Sequence, residues 1–137
     1  DIHGDLCKKI APKKLKLLGY LSQSELADLY KVCDLFVFPS KFEIGPNVVL
    51  EAKACGAVCV VSPGGGGKRI DYPDADGVII RKWDLNLWVK TIENLFKNQS
   101  KITKIKNFLR KHNGVNSWEE IFTNEILPHW INIEKEK

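Results

Sequence analysis

Methionine is absent from the 137 residues. A chain that opens on Asp1 and contains no methionine reads as a piece of a longer protein. No apolar run approaches the roughly 18 residues of a membrane-spanning helix, and no leader pattern opens the stretch. The four cysteines, Cys7, Cys33, Cys55 and Cys59, lack the C-x-x-C spacing of common zinc and redox sites. Cys33, Cys55 and Cys59 sit in apolar surroundings and read as buried free thiols of a reducing, cytoplasmic compartment. Histidine is scarce and scattered (His3, His112, His129), which fits surface or packing roles better than catalysis. No G-x-G-x-x-G occurs, so a dinucleotide fingerprint is not supported.

What is present belongs to an ordinary globular domain. Hydrophobic residues make up 44% and charged residues 28%, unlike a disordered chain. A chain of this length is one domain and buries about two-thirds of its unfolded surface. The net charge is +4, and much of the excess lies in Lys97, Lys101, Lys104, Lys106, Arg110 and Lys111. The plain reading is a solvated helix face. Peripheral contact with an anionic membrane stays open beside it. Only Phe108 interrupts these cations, so the interleaved aromatics of a nucleic-acid groove are missing.

The chain alternates strand and helix patterns. Lys14–Leu18 alternates and reads as a short strand before Gly19. Ser22 and Glu25 form a capping box for a helix with Leu26, Leu29, Tyr30 and Cys33 on one face. Leu35–Phe38 is an apolar run stopped by Pro39, as in a buried parallel strand. Val48–Ala54 reads as a helix ended by Gly56. Ala57–Val61 and Gly77–Arg81 read as further strands. Asp84 caps a helix through Phe96, and helices are expected at about 101–112 and 117–133. Asp71, Asp74 and Asp76 around Tyr72-Pro73 read as a polar turn. Trp83, Trp88, Trp118 and Trp130 read as packing for the C-terminal helices. Strands that are apolar on both faces and alternate with helices predict an α/β, Rossmann-like parallel sheet with helices on both faces.

Ligands in such a sheet bind outside the carboxyl ends of the strands. Two loops have that position, Pro39–Asn47 and the glycine run after Ser62. In the first, Gly45 lets a ligand approach the backbone, and Pro46 suits the first helical position. The N–H groups from Asn47 to Leu50 then open toward a phosphate at the helix start. Glu43 lies before this anion site and Glu51 one turn beyond it. Both carboxylates can accept hydrogen bonds from sugar hydroxyls. A nucleotide diphosphate sugar, with hydroxyls at both ends and charge between, suits that order. Each piece also has a plainer reading: a glutamate placed by the helix dipole, a common Gly-Pro turn, a flexible glycine loop. From the residues alone, both readings stay open.

The order of these pieces resembles the C-terminal domain of retaining, GT-B fold glycosyltransferases of family 4. The resemblance runs through Cys33–Ser40, then Glu43-Ile-Gly-Pro-Asn-Val-Val-Leu-Glu51, then Ala54-Cys-Gly56, Val60–Ser62, Gly66 and Gly77. The spacing of Glu43 and Glu51, E-x7-E, is weak alone and specific in this context. It implies that Glu51 binds the donor ribose and that Glu43 contacts the transferred sugar at the reacting centre. Gly45, Pro46, Asn47 and Val48 would line the sugar and phosphates, and no metal or other cofactor is implied. Family members carry an upstream Arg and Lys for the diphosphate that this chain does not match, and Ile2–Leu6 resembles the strand that follows them. Residues 1–114 are then a partial nucleotide-sugar-binding domain, and 115–137 a helix crossing back to an N-terminal domain. Such a piece transfers no sugar alone. Its partners would be the donor, an acceptor glycan, lipid or small molecule, and the N-terminal domain. The alternative is a non-catalytic nucleotide- or partner-binding α/β module.

Overall fold

The computed structural model describes residues 16–112, 117–128 and 131. The order is α1 (Gln23–Val32), β1 (Leu35–Phe38), α2 (Asn47–Ala54), β2 (Val58–Val61), a 3-10 turn at Gly67–Arg69, β3 (Val78–Ile79), α3 (Leu85–Lys97), α4 (Gln99–Lys111) and α5 (Trp118–Ile121). The three strands form a parallel sheet in the order β1-β2-β3. Leu35 pairs with Val58 and Phe38 with Val61; Val60 pairs with Val78.

The central strand explains the layers. Val58, Cys59, Val60 and Val61 are all fully buried. Alternate residues of a strand face opposite ways, so the sheet needs cover on both sides. On one face Val58 and Val60 meet Trp88 and Leu95 of α3 and Ile102, Ile105 and Leu109 of α4. On the other, Cys59 and Val61 meet Tyr30 of α1 and Val49 and Ala52 of α2. This is the expected Rossmann-like α/β sandwich.

Local signals account for most element ends. The Ser22 hydroxyl accepts from the Glu25 N–H, and the Glu25 carboxylate accepts from the Ser22 N–H at 2.8 Å. The Ser22 hydroxyl also donates to the Glu25 carboxylate at 2.7 Å, and that bond first, then the one from the Ser22 N–H, holds the Glu25 carboxyl below its ordinary pKa. Gly56 ends α2 with φ +82°, a conformation that costs other residues more. The Asp84 carboxylate accepts from the Leu87 N–H at 2.8 Å and starts α3.

Several expectations change. Residues 16–19 form no strand, and Leu17 and Leu18 are exposed. Alternation alone makes no strand without a neighbouring ladder. Lys14, Leu15 and Ile2–Leu6 lie outside the described residues. β3 is shorter than Gly77–Arg81, although the Ile80 N–H still reaches the Val61 carbonyl at 2.8 Å. α4 begins earlier than foreseen because Asn98 caps it, accepting from the Lys101 N–H at 3.0 Å. The last helix departs from α geometry, continuing α5 as a π-helix over Phe122–Ile126. No described helix is long and apolar enough to cross a membrane.

Candidate functional site

Glu43 lies in the loop between β1 and α2. Its Oε1 accepts from the Ser40 hydroxyl at 3.1 Å, and its N–H donates to the Gly64 carbonyl at 2.9 Å. The loop is thus tied to the glycine run after β2. A second tie crosses at Ser62, whose buried hydroxyl donates to the Ser40 carbonyl and accepts from the Gly65 N–H at 2.9 Å. A side chain at Gly65 would run into the Ser40 carbonyl. The glycine run is therefore a close-packed strut between the two carboxyl-edge loops, not a flexible segment.

Gly45 is exposed, Pro46 half-buried and Asn47 exposed at the first turn of α2. Pro46 occupies the N-cap, one position earlier than the first helical position expected. No side chain caps α2; the Val49 N–H bonds the Pro46 carbonyl at 3.3 Å, and the N–H groups of Asn47 and Val48, with the helix dipole, are of the kind that suits an anion. The side chain of Val48 packs on the core, which leaves only its backbone to meet a ligand. Glu51 is half-buried on the second turn. Its charge lies close enough to Tyr30 to add to burial, the larger cause, in raising the Tyr30 phenol pKa.

One basic group at this site escaped the sequence reading. A Cβ built on Gly45 would come within 2.8 Å of the Arg69 guanidinium, so Arg69 lies against the start of the α2 loop. Among the described residues its guanidinium has no carboxylate partner. Its place depends on a buried pair. Lys53 is 1% exposed, and its Nζ donates to the Arg69 carbonyl at 2.6 Å and to Asp76 Oδ2 at 2.8 Å. Asp76, 3% exposed, also accepts from the N–H groups of Asp71 and Tyr72. The expected polar turn is present, with Asp71 and Asp74 exposed, and Asp76 is its buried anchor. Only the hydrophobic setting of Lys53, between Ala52 and Ala54 on α2, hinted that its charge needed a partner.

Other singled-out residues fall outside this site. His112 stacks on Phe108 at 4.1 Å; His3 and His129 lie outside the described residues, as does Cys7. Of the three described cysteines, only Cys59 is fully buried, and all are free thiols. Trp88 packs in the core as expected, but Trp83 is 53% exposed under the Lys41 ammonium. Side chains of Trp118 and Trp130 are outside the description. The basic face is partly neutralised: Lys101 pairs with Asp74 and Lys106 with Asp34.

Residues 7–112 match the family model described as "Glycosyl transferases group 1". The chain belongs to this family. It is 31% identical over 80 residues to the UDP-Gal:alpha-D-GlcNAc-diphosphoundecaprenol alpha-1,3-galactosyltransferase of Escherichia coli, covering 58% of this chain and 20% of that protein. It is 29% identical over 96 residues to D-inositol 3-phosphate glycosyltransferase 1 of Catenulispora acidiphila, covering 70% of this chain and 23% of the relative. Among solved structures, sucrose-phosphate synthase from Thermosynechococcus elongatus superposes with a TM-score of 0.80 at 20% identity, over 99% of this chain and 34% of that one. The glycosyltransferase-group-1 chain thus has the GT-B type of α/β fold. It spans about a fifth of the length of the two curated relatives.

Proposed function

We propose that this chain is the donor-binding part of a retaining, hexosyl-transferring glycosyltransferase of family 4, acting within a longer protein. It takes a sugar from a nucleotide diphosphate sugar. The observation that supports the reading is the uncapped start of α2 with Arg69 against Gly45, Glu43 lying in the loop before it and Glu51 on its second turn. The diphosphate sits at the α2 N–H groups, with Arg69 supplying positive charge as the leaving group departs. Glu51 accepts from the ribose hydroxyls. Glu43, steadied by Ser40, contacts the transferred sugar at the reacting centre. Gly45, Pro46, Asn47 and the Val48 backbone line the path between them.

The acceptor in this reading carries phosphate. Both relatives' names point that way: one acts on a diphosphoundecaprenol-linked sugar, the other on D-inositol 3-phosphate. A non-catalytic nucleotide-binding module uses the same donor groups and differs only in turnover.

Calorimetric titration with UDP, GDP and ADP tests the donor site. One nucleotide is expected to bind, and Glu51→Ala to weaken it by at least about tenfold, or about 1.4 kcal/mol. Equal affinity in wild type and variant would remove Glu51 from the site. The anomeric configuration of the product, read by NMR on the full-length protein, decides retention. Absence of any product there would favour the binding module.

A further inference from the structure

Charge is spread unevenly over this chain. The hairpin of α3 and α4, from Leu85 to Lys111, holds seven cations and one carboxylate, Glu93, a net +6 where the whole chain has +4. Five of the seven lie on α4, and α4 contains no carboxylate at all. Two of those five are spent inside the fold. Lys101 pairs with Asp74 at 2.7 Å, and Lys106 pairs with Asp34 at 3.6 Å and donates to the Cys33 carbonyl. Lys104, Arg110 and Lys111, with Lys97 at the end of α3, are exposed. None of these four has a carboxylate partner among the described residues.

Helix geometry puts the free cations on one side. Ile102, Ile105 and Leu109 seat α4 on the sheet and so fix its inward face. At about 100° per residue, Lys104 and Lys111 fall on the opposite face, with Ser100, Thr103 and Asn107, and Arg110 on its flank. These six are all exposed, and none is apolar or acidic. Lys104 and Lys111 stand about 10 Å apart along the axis, too far to grip one small anion. On the flank, Arg110 shares a cleft with Lys31 and Lys106, and no carboxylate is among its lining residues. Lys106 holds this end of α4 against Cys33 and Asp34, where β1 begins. The basic surface therefore lies toward the amino edge of the sheet, away from the carboxyl-edge loops. The ring of Phe108 is occupied by His112 and Tyr72, which leaves no free aromatic on α4 for a base to stack on.

We propose that the outward face of α4, with Lys97 and Arg110 at its borders, docks on an anionic lipid bilayer. A bilayer presents a plane of mobile negative headgroups, which matches cations spread along a helix better than it matches a closed pocket. The contact is electrostatic, since the stripe offers no apolar side chain for insertion. Each Lys or Arg near such a surface is worth about a fivefold gain in affinity. Docking on this face leaves the carboxyl-edge loops open to solvent, and it stands independently of the donor reading.

Co-sedimentation with vesicles of equal parts phosphatidylcholine and phosphatidylglycerol tests this. Wild type is expected to bind them at low salt and to ignore vesicles of phosphatidylcholine alone. Molar salt, where the screening length falls to about 3 Å, should release it. The triple variant Lys104→Gln, Arg110→Gln, Lys111→Gln should lose at least tenfold in vesicle affinity. A control triple at the carboxyl edge, Lys41→Gln, Lys68→Gln, Arg81→Gln, changes the net charge equally and should bind nearly as wild type does. All six residues are exposed, glutamine suits a helix, and circular dichroism with urea midpoints checks that both triples fold. A footprint on wild type needs no variant: bound vesicles should shield Lys97, Lys104 and Lys111 from amine acylation and leave Lys41 and Lys68 reactive. No binding to the anionic vesicles overturns the proposal, as does undiminished binding by the α4 triple. Equal loss in both triples, or a uniform footprint, also overturns it, by reducing the effect to net charge. Tighter binding to duplex RNA than to the vesicles, lost in the α4 triple, would assign the face to a nucleic acid and end the bilayer reading.

Discussion

Lys53 heads the fully buried side chains by volume, which is unusual for an ammonium. Removing it from water is costly, and three oxygens offset that cost: the Arg69 carbonyl and the carboxylates of Asp76 and Asp71. Such a pair is weak evidence for net stability, yet losing Asp76 leaves the buried Lys53 charge with only the Arg69 carbonyl and the exposed Asp71 carboxylate at 3.3 Å. Asp76→Ala is expected to cost about 3–5 kcal/mol on that ground. Urea unfolding measures it, and a loss below about 1 kcal/mol, the size of an exposed ion pair, would show that water reaches Lys53. Cys59 gives a pH signature. Burial, opposed by the Lys53 charge, raises its thiol from 9.0 to about 12. The folded state therefore keeps a proton that the unfolded chain releases in this window, so its contribution is full below pH 9 and is lost as pH rises toward 12. Wild type should lose more stability across that range than Cys59→Val, compared by urea midpoints. Equal pH slopes would mean that the thiol ionises as freely folded as unfolded.

At the scale of elements, the turn after β2 decides whether the two loops act as one site. Its glycines bring backbone to backbone: Gly64 accepts from the Glu43 N–H and Gly65 donates to Ser62, which reaches Ser40. Gly65→Ala places a methyl group against the Ser40 carbonyl and the Ser62 hydroxyl. The loops must then part, and Glu43 moves with them. Affinity for whichever of UDP, GDP and ADP binds wild type is expected to fall at least tenfold in Gly65→Ala, while the far-UV circular dichroism stays near wild type. Unchanged affinity would mean that the strut does not position the donor groups. The buried pair works on the same segment from below, since Lys53 fixes the carbonyl of the residue whose guanidinium meets Gly45.

At the scale of the molecule, stability concentrates in the centre of the sheet. β2 is fully buried between two strands and two helical layers. Its amides should exchange with solvent most slowly, and those of α1 and α5 faster. Hydrogen-exchange mass spectrometry checks this, and faster exchange in Val58–Val61 than in α1 would contradict the layer assignment. The sequence by itself determined that layering. Four-residue apolar runs must be covered on both faces, and helical periods between them leave only a parallel α/β sandwich. It also singled out Glu43, Gly45, Pro46, Asn47 and Glu51 as candidates, because a pattern at a helix start is local and its spacing can be read along the chain. What depended on contacts far apart in sequence could not be read that way. Lys53 and Asp76 meet across 23 positions, and Ser40 and Ser62 across 22. Arg69 reaches Gly45, and Trp83 lies beneath Lys41, only because the sheet brings successive carboxyl-edge loops together. A charge or a glycine shows its own preference in sequence; the partner that satisfies it is chosen by the tertiary fold.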